Sequence, residues 1–399
     1  MKILHIVKLY YPWIGGVEKV AQEMAEGIKR ETDVHVLCCQ QRGRGSREYI
    51  GGVMVVKAGS LGTFFSMPLS LVFPFLFRAE VKRADILHFH FPFPLADVVY
   101  LFFAKQKNKK IVVTWHSDIW RQKRILFFYK PLLRKFLQIA DIILPTSQNV
   151  LNNSPFLKEF SDKCRVMPLF IDTEYWKSLK EVPVVLDPRV KFPISERDLE
   201  FREIAMPVVP EDDMENMVKD KKIVLFVGRL VYYKGVEYLI EAMKGIDAVL
   251  LIVGNGVLEN ELKEKVQIAG LEKNILFIPH LSDQELKWCY QHANIFVLPS
   301  IEKTEAFGLV QLEAMFFGLP VINTNLPTGV PSVSLHNETG LTVPPRDSSA
   351  LHNAIRKLLS DEGLTREMGE RGKKRAEEVF GKKKTIADLM SLYRDLLRI

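Results

Sequence analysis

Cysteine is scarce in this chain: four residues in 399, two of them adjacent at Cys38 and Cys39. Thiols so few and so placed build neither a disulfide framework nor a Cys-based metal site, and they favour a reducing compartment. No Asp-x-Asp pair occurs anywhere, which removes one common means of holding a divalent cation on a diphosphate. Helix-turn-helix, zinc-finger and aromatic RNA-binding signatures are also missing, so nucleic acid is not expected as a partner. The net charge of +7 is modest and leaves an anionic membrane surface open. Met1 to Val7 enters a strand pattern directly with no cleavable leader, which points to the cytoplasm.

Long apolar runs are missing too, with one exception. Ala58 to Phe77 carries no charge and is rich in Phe and Leu, long enough to cross a bilayer. Gly59, Ser60, Gly62, Thr63 and Ser66 weaken its first half, while Pro68 and Pro74 punctuate the rest. The expectation is a buried helix, with membrane-surface contact ranked second and a transmembrane span last.

What is present is an ordinary globular composition, 47% hydrophobic and 26% charged, in a chain long enough for two domains. Short β-branched runs alternate with helical patterns, as in a doubly wound parallel sheet. The expected strands of the first half are Ile3–Val7, Val34–Cys38, Met54–Val56, Ile86–His90, Ile111–Thr114, Ile142–Leu144 and Arg165–Met167. Those of the second are Ile223–Val227, Val249–Val253, Ile275–Ile278, Ile295–Leu298 and Val321–Asn323. The fold class is therefore α/β, with two Rossmann-like domains facing across a cleft. Expected boundaries are 1–176 for the first domain, 177–220 for a Pro-rich, acidic connector and 221–382 for the second domain. A terminal helix follows at 383–399.

Several motifs sit where open α/β sheets bind ligands, at the C-terminal ends of strands. Gly15-Gly16 follows the first strand and opens a helix, leaving backbone N–H groups for a diphosphate; an ordinary tight turn is the plainer reading. Thr114-Trp115-His116-Ser117-Asp118 closes the fifth expected strand. Gly228-Arg229-Leu230 and Lys234-Gly235 flank the loop after the first strand of the second domain, where two fixed cations could face a leaving diphosphate. Glu305 lies in the loop after Ile295–Leu298, and Glu313 about two helical turns on. Phe307, Gly308 and Leu309 lie between them. Two carboxylates held apart in this way suit the vicinal hydroxyls of a sugar and a ribose. A hydrolase would need a pair across one bond, roughly 5 to 9 Å apart.

Taken in order, these segments resemble the retaining glycosyltransferases of family four, which have the GT-B architecture. The Glu305/Glu313 spacing matches their E-x7-E signature, and Val253-Gly254-Asn255-Gly256, Gly318-Leu319-Pro320-Val321 and Thr339-Gly340-Leu341 follow the family order. The match covers nearly the whole chain and weakens between about Glu181 and Asp220. The tract Asn323-Thr324-Asn325-Leu326-Pro327-Thr328-Gly329-Val330-Pro331 is similar to members that assemble bacterial O-antigen or capsule, many of them mannosyltransferases.

The resemblance implies roles. Gly15 and Gly16 lie over the donor diphosphate, with Glu18 ordering their loop. His116 contacts the donor sugar near the reacting carbon, and Glu305 its hydroxyls. Glu313 takes the ribose, Arg229 and Lys234 the diphosphate, and the backbone of Phe307, Gly308 and Leu309 the sugar and phosphate. It also implies a nucleotide-diphosphate sugar as co-substrate, no separate cofactor and no essential metal. The terminal helix crosses back onto the first domain, and the acceptor is a glycan or polyprenyl-diphosphate-linked hydroxyl at the inner face of the membrane. His88 and His90, at a strand end, are read first as structural packing, with lining of the acceptor side as the second reading. A non-hydrolysing sugar-nucleotide 2-epimerase shares the architecture and is the alternative activity; a silent binding subunit is the third.

Ile119 to Gln138 projects as an amphipathic helix. Ile125, Leu126, Tyr129, Leu132, Leu133, Phe136 and Leu137 share one arc. The other carries Lys123, Arg124, Lys130, Arg134 and Lys135, with Trp120 and Phe127 among them, as at an interface; a plain amphipathic helix over the sheet is the equal alternative. Pro131 is expected to kink or divide this helix.

Overall fold

The computed structural model describes the chain except residues 14, 65–66, 107, 120–122, 181–220, 280 and 399. The expected connector at 177–220 therefore lies almost wholly outside the described residues. Two compact units emerge. The first comprises Met1–Phe170, Pro327–Ser332 and Phe380–Ile399, and the second comprises Ile171–Leu326 and Val333–Val379. The expected break after Trp176 comes earlier, after Phe170.

In the first unit, β1 (Lys2–Ile6), β2 (Asp33–Cys39), β3 (Ser46–Ile50), β4 (Val53–Ala58), β7 (Ile86–Phe91), β8 (Lys110–Trp115) and β9 (Ile142–Pro145) form one sheet. Its order is β3-β4-β2-β1-β7-β8-β9, parallel except for β3, which runs antiparallel to β4. The second unit holds β10 (Ile223–Val227), β11 (Val249–Val253), β12 (Ile275–Ile278), β13 (Ile295–Leu298), β14 (Val321–Thr324) and β15 (Gly340–Val343). Their order is β12-β11-β10-β13-β14-β15, and every pairing is parallel. Each residue of β10, β11 and β13 is buried, as befits parallel strands covered by helices on both faces. Each unit thus has the doubly wound Rossmann-like sheet.

In both sheets the chain starts at a central strand, winds outward, then returns to the other side. The reversal falls between β1 and β7 in the first unit and between β10 and β13 in the second. Loops at the C-terminal ends of such a strand pair diverge and open a crevice.

Three expectations need correction. Arg165–Met167 is not a strand: Arg165 and Met167 each donate one backbone bond to β9, but Pro168 follows and lacks the N–H to extend a ladder. Ala58 to Phe77 is not one helix. It ends β4, forms the small antiparallel pair β5 (Thr63–Phe64) and β6 (Met67–Pro68), and enters helix α2 (Phe73–Arg83) only after its glycines and Pro68. Pro131 does not divide its helix, which runs as one element over Lys123–Ile139. Tyr129, Leu133, Phe136 and Leu137 are the buried stripe of that helix. Among the described residues, no helix is long and apolar enough to cross a membrane.

The terminal helix, Lys382–Leu397, buries Leu389, Met390, Leu392 and Tyr393. It lies against α1 (Gly16–Ile28). Gly27 permits that approach, because a Cβ there would stand 2.7 Å from Ile386 Cδ1. Lys382 faces Glu23 at 3.8 Å and Arg394 pairs with Glu31 at 2.5 Å. Tyr393 reaches the sheet itself, with its hydroxyl 2.5 Å from His88 Nδ1.

Candidate active site

The strand reversal of the second unit brings two of the expected charges together. After β10 the chain makes a single 3-10 turn, Tyr232–Lys234. Gly235 closes it with φ +65°, where a Cβ would lie 2.3 Å from the carbonyl oxygen of Pro299. Only glycine tolerates both that backbone and that approach. The loop after β10 is thereby locked against the loop after β13, and Lys234 Nζ stands 2.6 Å from Glu305 Oε2. The lysine is 8% exposed and the glutamate 7%.

Glu305 is held from its own loop as well. Ser300 Oγ donates to Oε2 at 3.0 Å, and the Ser300 carbonyl accepts from Thr324 Oγ1 of β14. Gly308 has φ +74° and leads into the helix Val310–Phe316, whose third position beyond the first residue is Glu313. There Tyr290, wholly buried, donates to Glu313 Oε2 at 2.9 Å. Glu305 and Glu313 therefore have different partners: one faces an ammonium and the other a phenol. Arg229 is exposed at the loop's outer side, with Nη2 donating to Tyr233 Oη at 3.0 Å.

Beneath this loop-helix unit runs a buried polar ladder. Gln311 donates to the Phe307 carbonyl at 3.0 Å, Asn323 donates to Gln311 Oε1 at 2.8 Å, and Thr342 donates to Asn323 Oδ1 at 2.8 Å. It ties the segment Phe307, Gly308, Leu309 to β14 and β15, so the backbone around Gly308 is supported from three elements. Ser300, Tyr290, Gln311 and Asn323 had no role in the sequence reading. Asn323 opens the Asn323–Pro331 tract, and that was the available signal.

In the first unit, Gly15 caps α1, and Gly16 is its first residue. The Glu18 carboxylate folds back so closely that a Cβ on Gly15 would stand 2.3 Å from its Oε2. His116 follows β8 and continues the ladder by donating its backbone N–H to the Phe91 carbonyl at 3.2 Å. Its ring is buried, which pushes its pKa down to about 3, so it is neutral at neutral pH. Trp115 stacks on Phe91 at 3.8 Å between centroids, and its Nε1 donates to Asp118 at 2.9 Å. His88 and His90, the candidates for the acceptor side, are 0% and 1% exposed. They lie inside the sheet layer rather than on open surface.

His5, His88 and His90 present ring nitrogens within 4.8 Å of one another, the three-residue group among the described residues that could hold a metal. Their contacts do not suit one. Both nitrogens of His88 face hydroxyls, of Tyr393 at 2.5 Å and Thr114 at 2.6 Å. His5 and His90 are bonded to each other at 3.0 Å. A hydrogen-bonded histidine cluster accounts for all of these distances.

Comparison with known proteins gives the family of the chain. The family described as "Glycosyl transferases group 1" matches residues 210–375, and "Glycosyltransferase Family 4" matches residues 14–175. A D-rhamnosyltransferase of Pseudomonas aeruginosa is 31% identical over 95% of this chain and 92% of its own length. An O-antigen chain mannosyltransferase of Escherichia coli is 31% identical over 100% of this chain and 99% of its own. Among solved structures, a sucrose-phosphate synthase of Thermosynechococcus elongatus superposes with TM-score 0.74 at 23% identity, covering 100% of this chain and 99% of that one. Anabaena HepE in complex with UDP superposes with TM-score 0.75 at 17% identity, covering 99% and 100%. Relatives matched end to end at this identity make the chain a member of the group 1 glycosyltransferases of GT-B fold.

Proposed function

We propose that the chain transfers a sugar, with retention of anomeric configuration, from a nucleoside-diphosphate sugar to a hydroxyl of a glycan or lipid-linked acceptor during cell-surface polysaccharide synthesis. GDP-mannose is the first donor to test, since the Escherichia coli relative is named a mannosyltransferase. The observation that carries the reading is the Lys234–Glu305 pair at the β10/β13 reversal. A buried ammonium held there can meet the leaving diphosphate, where charge grows in the transition state. Glu305, released from it, accepts from sugar hydroxyls. Glu313 would take the ribose and Arg229, with Lys234, the diphosphate, while the backbone of Phe307, Gly308 and Leu309 would hold the sugar and phosphate. By the family resemblance, Gly15, Gly16 and His116 would also contact the donor. The acceptor oxygen attacks from the leaving group's own face, and the departing phosphate takes its proton. No metal is required where protein cations fill that role.

We further propose that the first unit docks on an anionic membrane surface. Phe127 and Phe128 of the helix Lys123–Ile139 are 75% and 77% exposed, and Phe75 of α2 is 77% exposed. Aromatic residues left open on amphipathic helices suit the headgroup boundary. Of the face expected there, Trp120 and the side chains of Lys123 and Arg124 lie outside what the structure describes, and Arg134 is paired with Glu159 at 2.5 Å. The aromatics supply the more definite part of this surface.

Thermal-shift screening against UDP-, GDP- and dTDP-sugars identifies the donor, because a ligand stabilises the fold that binds it. Proton NMR of the product then reads the anomeric configuration. Inversion would overturn the mechanism. Conversion of the donor without acceptor would favour the epimerase.

A further inference from the structure

Three histidines form a continuous chain through the first unit. His5 stands on β1, His90 on β7 and His116 just after β8, on neighbouring strands. His5 Nδ1 lies 3.0 Å from His90 Nε2, and His90 Nδ1 lies 3.1 Å from His116 Nε2. The rings are near-parallel, at 27° and 21°. Each end is open: His5 Nε2 and His116 Nδ1 are buried without a hydrogen-bond partner.

A neutral imidazole carries one N–H and one lone pair. Burial lowers the pKa of all three rings, His5 and His116 to about 3, so the chain has three N–H groups for two internal bonds. One N–H is left over at one end and one lone pair at the other. The two bonds must point the same way, because His90 has one donor and one acceptor. If they point toward His5, the spare N–H is at His5 Nε2, inside the sheet layer at 0% exposure, with no acceptor. An orphaned buried N–H is rarer than an unmatched acceptor. If they point toward His116, the spare N–H is at His116 Nδ1, which is buried and unpartnered in the same way but lies at the strand end where a bound ligand can supply the acceptor.

We propose that His90 and His5 are positioning residues that hold His116 as the Nδ1–H tautomer, so that this nitrogen donates to an oxygen of the bound sugar donor. The role rests on the reading that His116 contacts the donor. Free imidazole side chains favour the proton on Nε2, so the chain reverses the ordinary preference. His88 stands outside it, with both its nitrogens committed to Thr114 and Tyr393.

The test is histidine-selective 15N labelling of the full chain, with long-range 1H–15N correlation reading which nitrogen of His116 is protonated. The expected result is a protonated Nδ1 and a bare Nε2, and the reverse pattern overturns the proposal. Two variants add a kinetic readout. In His90→Asn the amide nitrogen takes the place of Nδ1 and can still donate to His116, so at least about half the kcat should remain. In His90→Gln that donor is displaced, so kcat should fall about tenfold with the donor's KM little changed, and His116 should revert to Nε2–H. Equal losses in both variants, with His116 unchanged in tautomer, reduce His90 to packing. His5→Gln, read by the same NMR experiment, covers the case in which position 90 tolerates no change. His116→Ala separates the two readings. Full activity there overturns the donor contact whatever the tautomer, whereas lost activity with wild-type Nε2–H overturns only the role of His90 and His5.

Discussion

Lys234 Nζ stands 2.6 Å from Glu305 Oε2, and both side chains are about nine-tenths covered. The two residues come from loops after different strands, joined where Gly235 meets the Pro299 carbonyl. A buried ion pair is costly to break from one side, because the survivor keeps its charge without its partner.

Lys234→Met and Glu305→Gln should each lower transfer more than tenfold, a loss above about 1.4 kcal/mol in transition-state stabilisation. Each should also lower unfolding stability, by about 3 kcal/mol for Lys234→Met. The double variant should recover much of that stability and none of the activity. Urea unfolding of the three proteins beside initial rates checks this. Single variants with wild-type stability would show that the pair is not coupled in the fold.

A chelator should leave transfer unchanged under the proposed reading, in which Lys234 and Arg229 meet the diphosphate charge. Rates measured before and after EDTA treatment decide it. A loss that magnesium or manganese restores would mean that a cation shares the work.

Asp97 of the helix Pro94–Val99 is buried, which raises its carboxyl to about 7, partly offset by a hydrogen bond from Tyr129. Between the unfolded value near 4 and the folded value near 7, the native chain holds a proton that the unfolded chain has lost. The contribution of this group to stability therefore falls as pH rises through that window. Asp97→Asn removes the titration, so from pH 5 to pH 8 the variant should gain on wild type by about 3 kcal/mol, at 1.36 kcal/mol per pH unit. Denaturation midpoints that run parallel in the two proteins would contradict it.

Binding to vesicles should be reversible, stronger on anionic than on neutral lipid and weaker at high salt. Each basic residue near such a surface contributes about 1 kcal/mol within a Debye length. Phe127→Ser with Phe128→Ser should reduce co-sedimentation and leave transfer to a short soluble acceptor intact. Equal binding to both lipids, or to neither, would leave these rings as ordinary exposed surface.

The central strands were legible because they are buried on both faces and read as unbroken apolar runs, as Ile223–Val227 and Val249–Val253 do. The edges were not. Ser46–Ile50 opens with three consecutive polar residues on an exposed edge strand, where charge protects against pairing and hides the strand signal. Gly340–Val343 begins on a glycine whose Cβ would meet the Val321 carbonyl at 1.9 Å, so a close approach looks like a turn in the sequence. At the site, residue types and order singled out Lys234, Glu305 and Glu313. What spacing could not supply was who partners whom: that Glu305 takes Lys234, that Glu313 takes Tyr290, and that His90 is a link between His5 and His116 rather than a surface ligand. Those partnerships join strands far apart in the chain, and only the strand order brings them together.

The hydroxyl of Tyr393 on His88, 305 residues away, sets an order of events during synthesis. Domains generally fold as the ribosome delivers them, the N-terminal one first. Here the first unit waits for its last helix. Until Lys382–Leu397 emerges, the α1 face around Gly27 and the inner nitrogen of His88 have no cover, while the second unit, encoded in between, already has all its strands. The nascent chain is therefore expected to mature in inverted order, and a fragment ending near Phe170 should be soluble only when the terminal helix is supplied with it.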